Sequence, residues 1–362
     1  MIKREVVVVG AGPAGLMAAI SAAKAGAEVL VLERSPFVGG QLVKQTHKFF
    51  GAKSEYAGWR GTEIAGILAA EAAAFKRITI WTNAVAAGYY PDQTLAVAHN
   101  QRLRVIKPGK LIIATGAAEK FLLFPNNDLP GIYGAGAVQT LLNLYGVLPG
   151  RQFLIVGAGN IGVILAYQLL QANAEVAAIV EAAPAPGCYQ VHAAKVQRCG
   201  VPFYTSHTIK YAYGSDAVAG AVIWQLDERR QPLPGTEKEV AVDGICIAVG
   251  LSPLTELLWQ AGCRMKYIPE LGGNVPLCDE NFRTSEPDIY VAGDAAGVEE
   301  ASTAMVAGKI AGMAAACALG YQPQWLVDEL AEAKARLAML RAGPVSAKIR
   351  AGIKKRQLAE VS

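Results

Sequence analysis

Nowhere in these 362 residues do two cysteines stand as C-x-x-C, although six are present, at Cys188, Cys199, Cys246, Cys263, Cys278 and Cys317. The spacing used by redox-active disulfides and by iron–sulfur clusters is therefore missing, and buried free thiols are the expected state. Histidine is scarce too. His47, His99, His192 and His207 stand at no metal-ligand spacing from one another, so no metal site is expected. Charged residues make up only 18% of the chain, the net charge is +4, and no basic run is interleaved with aromatics, which excludes nucleic acid as a partner. Two long stretches, Val6 to Ala23 and Phe153 to Ala174, lack charge altogether. The first imitates a secretory leader and the second a membrane span, but each has a glycine-rich turn inside it and reads better as buried strand, turn and helix. No transmembrane segment is expected, and the location is expected to be cytoplasmic.

Glycine, by contrast, is plentiful at 38 residues, and it is placed twice in one pattern. Val6 to Glu33 reads VVVVGAGPAGLMAAISAAKAGAEVLVLE, and Phe153 to Glu181 reads FLIVGAGNIGVILAYQLLQANAEVAAIVE. A shift of 147 positions lays Gly10, Gly12 and Gly15 over Gly157, Gly159 and Gly162. It also lays Gly26 over Asn173, two residue types that tolerate the left-handed backbone ending a helix. In such a strand–turn–helix unit the first glycine permits the turn, the second admits a pyrophosphate, and the third lets helix pack on strand. The helix N-terminus offers unpaired N–H groups and partial positive charge to the phosphates. A carboxylate further on holds a ribose hydroxyl; Glu33 stands 18 residues after Gly15, and Glu181 stands 19 after Gly162. One copy would be weak evidence. Two complete copies predict two dinucleotide sites, and hence a chain that passes electrons between two cofactors. A third look-alike, Gly134-Ala-Gly136, follows no predicted strand and reads as a loop.

Three later apolar runs also end in glycine or aspartate: Lys110 to Gly116, Asp243 to Gly250 and Asp288 to Asp294. Runs of this kind suit parallel strands covered on both faces, whose C-terminal ends bind ligands. Ala301 to Leu319 predicts a helix pointing its N-terminus at the site, and Val327 to Arg341 has helical apolar spacing. Pro125 to Pro130 reads as a linker, with a second crossing between Leu251 and Leu271. The predicted class is α/β, with two Rossmann-like dinucleotide-binding domains, the second inserted into the first. The expected boundaries are residues 1–125 and 256–325 for the first domain, 126–255 for the inserted one, and 326–362 for a helical basic tail. Beyond Ala342 that tail carries Lys348, Arg350, Lys354, Lys355 and Arg356 against Glu360, either as a frayed, solvated segment or as a docking segment for a partner.

With GAGPAG and Glu33, VGGQL at Val38 to Leu42, ATG at Ala114 to Gly116, GAGNIG with Glu181, and AGD at Ala292 to Asp294, the chain resembles the two-dinucleotide-binding flavoprotein reductases over about residues 1–325. The resemblance implies FAD on the first fold and NAD(P)H on the second. It implies that Gly10, Gly12 and Gly15 cradle the FAD pyrophosphate and Glu33 its adenosine ribose. Gly40 and Gln41 would lie beside the flavin, Asp294 would bond the ribityl chain, and Ser302 would lie near the pyrimidine ring. Pro13, Ala14, Arg34, Leu42, Thr46, Thr115, Gly116, Gly293 and Ala301 complete the residues expected at FAD. Gly157, Gly159, Asn160, Ile161, Gly162 and Glu181 are those expected at the second nucleotide. A helix N-terminus near the ring would stabilise the anionic reduced flavin. Lys44 and His47, on the segment expected near the flavin, could tune its potential or meet a partner's cofactor; ordinary solvated or structural side chains are the alternative.

Thioredoxin reductases place a C-x-x-C before the second glycine strand, and glutathione-reductase-like enzymes place a cysteine pair soon after the first acid. Here Ile132 to Gly150 and Gly39 to Gly51 hold no cysteine, so disulfide reduction is not expected. Instead QLVKQTHKFFG (Gln41 to Gly51), LPGIYGAGAVQTLLN (Leu129 to Asn143) and GVEEASTAM (Gly297 to Met305) resemble the α-type subunits of heteromeric amine and amino-acid dehydrogenases. That group includes subunits of sarcosine oxidase, dye-linked L-proline dehydrogenase, opine oxidase and hydrogen cyanide synthase. The resemblance implies a β-type partner with its own FAD that oxidises the C–N bond, while this chain relays the electrons. Some relatives place an FMN at the subunit interface, and some carry a [2Fe–2S] segment, which here is expected on a separate small iron–sulfur subunit. The second fold would hold NAD or an adenine nucleotide that takes no electrons; Glu181, with no arginine close behind it, favours NAD over NADP. Two alternatives stand beside this reading: a stand-alone NADH-dependent flavin reductase acting on a quinone, ferredoxin or oxygen, and a flavoprotein scaffold whose second nucleotide is structural.

Overall fold

The computed structural model describes residues 1–49, 51–343 and 346–358, so Phe50 and Glu360 lie outside the described residues. From the N-terminus the chain runs through β1 (Ile2–Val9), α1 (Pro13–Ala25), β2 (Val29–Leu32), α2 (Gly61–Ala74), β3 (Ile78–Trp81), β4 (Ala84–Tyr89), β5 (Leu95–His99) and β6 (Arg102–Ile113). It passes along β7 (Ala117–Glu119) to β8 (Ile132–Gly134), α3 (Ala135–Tyr145), β9 (Gln152–Val156), α4 (Asn160–Gln171), β10 (Glu175–Glu181) and α5 (Gln190–Arg198). There follow β11 (Phe203–Thr205), β12 (His207–Tyr213), β13 (Gly220–Gln225), β14 (Lys238–Ala241) and β15 (Gly244–Ile247). The chain returns by β16 (Leu251–Pro253) to α6 (Glu256–Gln260), β17 (Met265–Ile268), β18 (Gly273–Pro276), β19 (Ile289–Val291), α7 (Ala301–Cys317), α8 (Gln324–Leu340) and α9 (Ala347–Arg356). Two compact units result, Met1–Ala118 with Ser252–Ser362, and Glu119–Leu251, the second interrupting the first along the sequence.

In the first unit β3-β2-β1-β6 is a parallel array extended by β19 on β6, and β4 and β5 add an antiparallel meander to the other part of β6. Val6 pairs with Val29 on one side and with Lys110 on the other. Val6–Val9 and Val29–Leu32 are buried on both faces, which is why these strands read as unbroken apolar runs. Helix α1 lies against α7 with almost no space between their backbones. A Cβ on Gly308 would overlap the Ala14 carbonyl oxygen and lie 2.8 Å from its carbon; a Cβ on Gly312 would do the same at Ala18. Small residues four apart on each helix thus set the crossing. This close packing explains an otherwise misleading composition. One helix among the described residues is long and apolar enough to cross a membrane, in the window Ala301–Ala318 of mean hydropathy 1.3, and 78% of that window is buried in this unit.

The tail is neither frayed nor freely solvated as far as it is described. Leu326, Ala333 and Leu337 of α8 are buried in the first unit's core. Ile349 and Ile353 of α9 pack on Ile268, Leu271 and Val275. The basic residues are drawn in by neighbours: Lys355 pairs with Glu270 at 2.5 Å, and the Arg350 guanidinium donates to the Gly343 carbonyl at 2.6 Å. An acidic partner inside the same unit was invisible to a count of tail charges.

The second unit has a five-stranded parallel sheet in the order β11-β10-β9-β15-β8 and an antiparallel sheet of β12-β13-β14. Phe153, Ile155, Val163 and Leu169 centre one buried cluster, and Leu154, Ile209, Ile223 and Ile245 centre another. Asn173 ends the region of α4 with φ +60°, as Gly26 does after α1 with φ +118°. Two expectations need correction here. Gly134-Ala-Gly136 is not a loop: Gly134 closes β8, which pairs with β15, and the next residue opens α3. A three-residue strand is too short for periodicity to reveal. Pro125 to Pro130 is not the linker either: the units divide between Ala118 and Glu119, and within the second unit the Pro125 and Pro130 carbonyls accept the Ala212 and Val218 N–H groups at 3.1 and 2.9 Å.

The helix crossing gives a direct test. Gly308→Ala is expected to cost about 3 kcal/mol in denaturant unfolding, the upper end for overpacking a rigid contact. Gly66→Ala, on α2 with open space around it, should instead stabilise by about 0.5–1 kcal/mol.

Candidate functional site

In the first unit the turn after β1 is built around missing side chains. Gly10 has φ +104°, and a Cβ there would overlap the Ala114 carbonyl oxygen at the end of β6. A Cβ on Gly15 would collide with the Gly10 carbonyl, lying 2.9 Å from its carbon. The turn is pinned by its flanks: the Gly10 N–H donates to Leu32 O and the Ala114 N–H to Val9 O, both at 2.8 Å. Gly12 caps α1, Pro13 occupies the first turn, and no acidic residue stands in that turn. The unpaired N–H groups and positive end of α1 therefore remain available to an anion.

Around this turn the fold gathers segments distant in sequence. Gly40 approaches so closely that a Cβ on it would lie 2.7 Å from Gly12 Cα, and the Gly39 N–H donates to Ala11 O at 2.8 Å. A Cβ on Gly293 would lie 2.8 Å from the Cβ of Ala14. Glu33 is buried, with Oε2 accepting the Ala11 N–H and Oε1 the Ser35 N–H, both at 2.8 Å. Each oxygen keeps a lone pair for a hydroxyl donor. Arg34 and Gln41 are exposed, and Gly116 has open space around it. Ser302, at the start of α7 beside Ala301, is buried.

Other expected residues are engaged elsewhere. Leu42 is fully buried in the core, so only its backbone could meet a ligand. The Thr115 hydroxyl donates to Leu254 O at 2.6 Å, and the Thr46 carbonyl accepts from Arg60. The His47 ring stacks with Phe49 at 5.5 Å between centroids, and Lys44 closes the short helical turn Gly40–Lys44. Sequence reasoning missed Gln45, whose buried Oε1 has no hydrogen-bond partner among the described residues.

Asp294 carries the least satisfied charge of the site. Its Oδ1 accepts one long bond, from the Glu299 N–H at 3.3 Å. Burial pushes its pKa up to about 6, the Glu299 amide opposing that rise and the Glu299 carboxylate adding to it. A part-buried carboxylate with spare lone pairs is what a chain of ribityl hydroxyls would satisfy, so the residues present fit a flavin.

In the second unit the same device recurs. Gly157 has φ +110°, and a Cβ on it would overlap the Ala248 carbonyl oxygen and lie 2.8 Å from its carbon. The Gly157 N–H donates to Val180 O and the Ala248 N–H to Val156 O, both at 2.7 Å. Glu181 accepts the Ala158 N–H at 2.8 Å and the Ala183 N–H at 2.9 Å, as Glu33 does with Ala11 and Ser35. Gly159 caps α4 with open space around it, and Gly162 fits against the Gly157 carbonyl. Ile161 packs toward the core, and Asn160 Oδ1 accepts the Tyr189 N–H at 3.0 Å, tying the turn to the start of α5. The helix start at α3 differs from both: the Glu119 carboxylate accepts the Gly136 and Ala137 N–H groups at 2.6 and 3.2 Å, so its anion site is already filled from within.

All six cysteines are free thiols, with Cys246, Cys263 and Cys278 buried and pushed up in pKa by that burial. Among the described residues no group of three or more His, Cys, Asp or Glu could hold a metal ion.

The Asp294 shift has a sign that can be checked. A carboxyl whose pKa is 3.8 unfolded and about 6 folded binds its proton more tightly in the folded chain. Its contribution to stability is greatest below the unfolded value and is lost as pH rises through the folded one. Asp294→Asn, similar in shape and unable to ionise, should therefore raise the melting temperature of the ligand-free chain at about pH 8 but not at about pH 4. An equal gap at both would contradict burial as the cause.

Comparison with known proteins places this geometry. An opine oxidase subunit of Agrobacterium tumefaciens (strain Ach5) is 28% identical over 331 residues, covering 86% of this chain and 65% of that protein. The alpha chain of sarcosine oxidase from Corynebacterium sp. (strain P-1) is 28% identical, covering 89% of this chain and 33% of that protein. The chain thus spans less than two thirds of the first and a third of the second. The crystal structure of T. acidophilum thioredoxin reductase shares the fold, with a TM-score of 0.72 at 23% identity, covering 88% of this chain and 99% of that one. The sequence pattern of the pyridine nucleotide-disulphide oxidoreductases matches residues 4–308. The chain belongs to the pyridine nucleotide-disulphide oxidoreductase family, and its fold is of α/β class with two Rossmann-like folds.

Proposed function

We propose that this chain holds FAD on its first unit and NAD, or another adenine nucleotide, on its second, and serves as the electron-relaying subunit of a heteromeric amine or amino-acid dehydrogenase. The carrying observation is the pair of complete cradles, each with its glycine turn and its acid bonded to the turn's own amide. Similarity to the opine oxidase and sarcosine oxidase chains over most of this chain supports the subunit role.

When bound, a flavin supplies reversible two-electron transfer, which no side chain here could perform. The protein's residues bind and orient. Gly12 admits the pyrophosphate to the positive end of α1, Gly15 lets that helix seat against the turn, and Glu33 takes the adenosine ribose hydroxyls. Asp294 takes a ribityl hydroxyl, which returns hydrogen bonds to a carboxylate that folding has taken out of water. Ser302 and the N-terminal turn of α7, which has no acidic residue, offer donors and positive potential to a ring that gains charge on reduction. In the second unit Glu181 selects an unphosphorylated ribose, because a phosphate there would face a carboxylate. The C–N oxidation belongs to a β-type partner with its own flavin, an FMN at the interface and a small iron–sulfur subunit being further parts of the same reading. Disulfide reduction is no part of it.

A second reading, a stand-alone NADH-dependent flavin reductase, is favoured by the completeness of the Gly157–Glu181 cradle. One experiment tests the two cradles and a second separates the two readings. Glu33→Arg should weaken FAD binding by roughly a hundredfold or more while leaving ADP-ribose binding intact, and Glu181→Arg should do the reverse. If both variants bind both ligands normally, the acids do not hold the riboses. The complex purified through a tag on this chain should contain a second flavoprotein and reduce a dye with an amine or amino acid. Rapid bleaching of the flavin by NADH in the isolated chain, with no such partner, favours the reductase.

A further inference from the structure

Asp294 lies in residues 293–300, the connection between β19 and α7, and that connection is held from behind by the last two helices. The Arg341 guanidinium, at the end of α8, bonds both oxygens of Glu299, Nε to Oε2 at 2.8 Å and Nη2 to Oε1 at 2.5 Å. These side chains are only 12% and 9% exposed, so this is a desolvated, two-point ion pair rather than a surface one. The Glu299 N–H in turn donates to Asp294 Oδ1. From α9, the buried Arg356 donates to the Ala296 carbonyl and lies 5.4 Å from the Phe282 ring centroid. Behind the connection, a Cβ on Gly352 of α9 would lie 2.8 Å from Leu271 Cγ, and the Leu271 carbonyl accepts the Val298 N–H at 3.0 Å. The family match ends at residue 308, so both arginines come from segments beyond it.

We propose that Arg341 and Arg356 are positioning residues for the flavin, holding residues 293–300 in the shape in which Asp294 meets the ribityl chain; this rests on the reading of the first unit as the FAD site. Each arginine fixes one side of the connection, Arg341 through the residue that bonds Asp294 and Arg356 through the carbonyl two residues after it. Their bonds go to Glu299 and to the Ala296 carbonyl, so each acts on Asp294 through the connection. The C-terminal helices thereby set how tightly FAD is held.

The test uses the full chain and variants Arg341→Met, Arg356→Met, Arg341→Lys and Arg356→Lys. FAD affinity is read by quenching of flavin fluorescence, ADP-ribose affinity serves as the second-unit control, and hydrogen exchange is followed at Gly297 and Glu299. The Met variants should lose about tenfold or more in FAD affinity, with faster exchange at those amides and unchanged ADP-ribose binding. The Lys variants should recover part of the loss. Should Arg341→Met fail to fold, the neutral pair Glu299→Gln with Arg341→Gln carries the test, with a smaller loss expected. Wild-type FAD affinity in the Met variants or in that pair, while Asp294→Asn loses FAD, overturns the clamp and leaves the site reading standing. A wild-type chain that binds no FAD overturns both.

Discussion

Everything at the first site depends on backbone approaching backbone where a single carbon atom would not fit. Gly10 sits against the Ala114 carbonyl, Gly15 against the Gly10 carbonyl, and Gly40 against Gly12. These contacts bring the end of β1, the start of α1 and the segment after Glu33 to one point, with the helix end left open. The same constraint reaches the core, because α7 can follow Asp294 and lie on α1 only where Gly308 and Gly312 carry no side chain. Site and core are therefore one packing problem, and the Ala- and Gly-rich composition of both helices is its solution.

That constraint is repeated in the second unit with different neighbours. Ala248 stands where Ala114 stands, and Glu181 bonds its turn amide as Glu33 does. In both, the acid serves the turn and keeps capacity for a ligand, so a carboxylate is fixed in place without being spent. Asp294 is handled otherwise: it is part-buried with one long bond and left poorly satisfied. The Glu299 carboxylate adds to that cost and is itself paired with Arg341.

How much of this was legible in the sequence follows from the range of each interaction. The glycine turns, Glu33, Glu181 and the left-handed Gly26 and Asn173 are local consequences of residue type at fixed spacing, and a repeat of 147 positions displays them twice. The C-terminal end of β6 (Leu111–Ile113), β15 and β19 were legible because burial on both faces leaves an unbroken run. What escaped were features fixed by partners far along the chain. Arg341 reaches back 42 positions to Glu299 and Arg356 reaches 60 to Ala296, so a basic tail looked solvated. Gly134 hid a strand of three residues. Leu42 sat inside a motif beside the expected flavin, but its side chain turns to the core.

The central claim is that the Gly10–Gly15 turn and Glu33 receive FAD in the first unit. A density map of the full chain reconstituted with FAD and NAD tests it most directly. Pyrophosphate density over the N-terminus of α1, with the adenosine ribose at Glu33 and the ribityl chain at Asp294, is the expected result. Flavin density at the Gly157–Gly162 turn instead, or none at Gly10–Gly15 under saturating FAD, would contradict it.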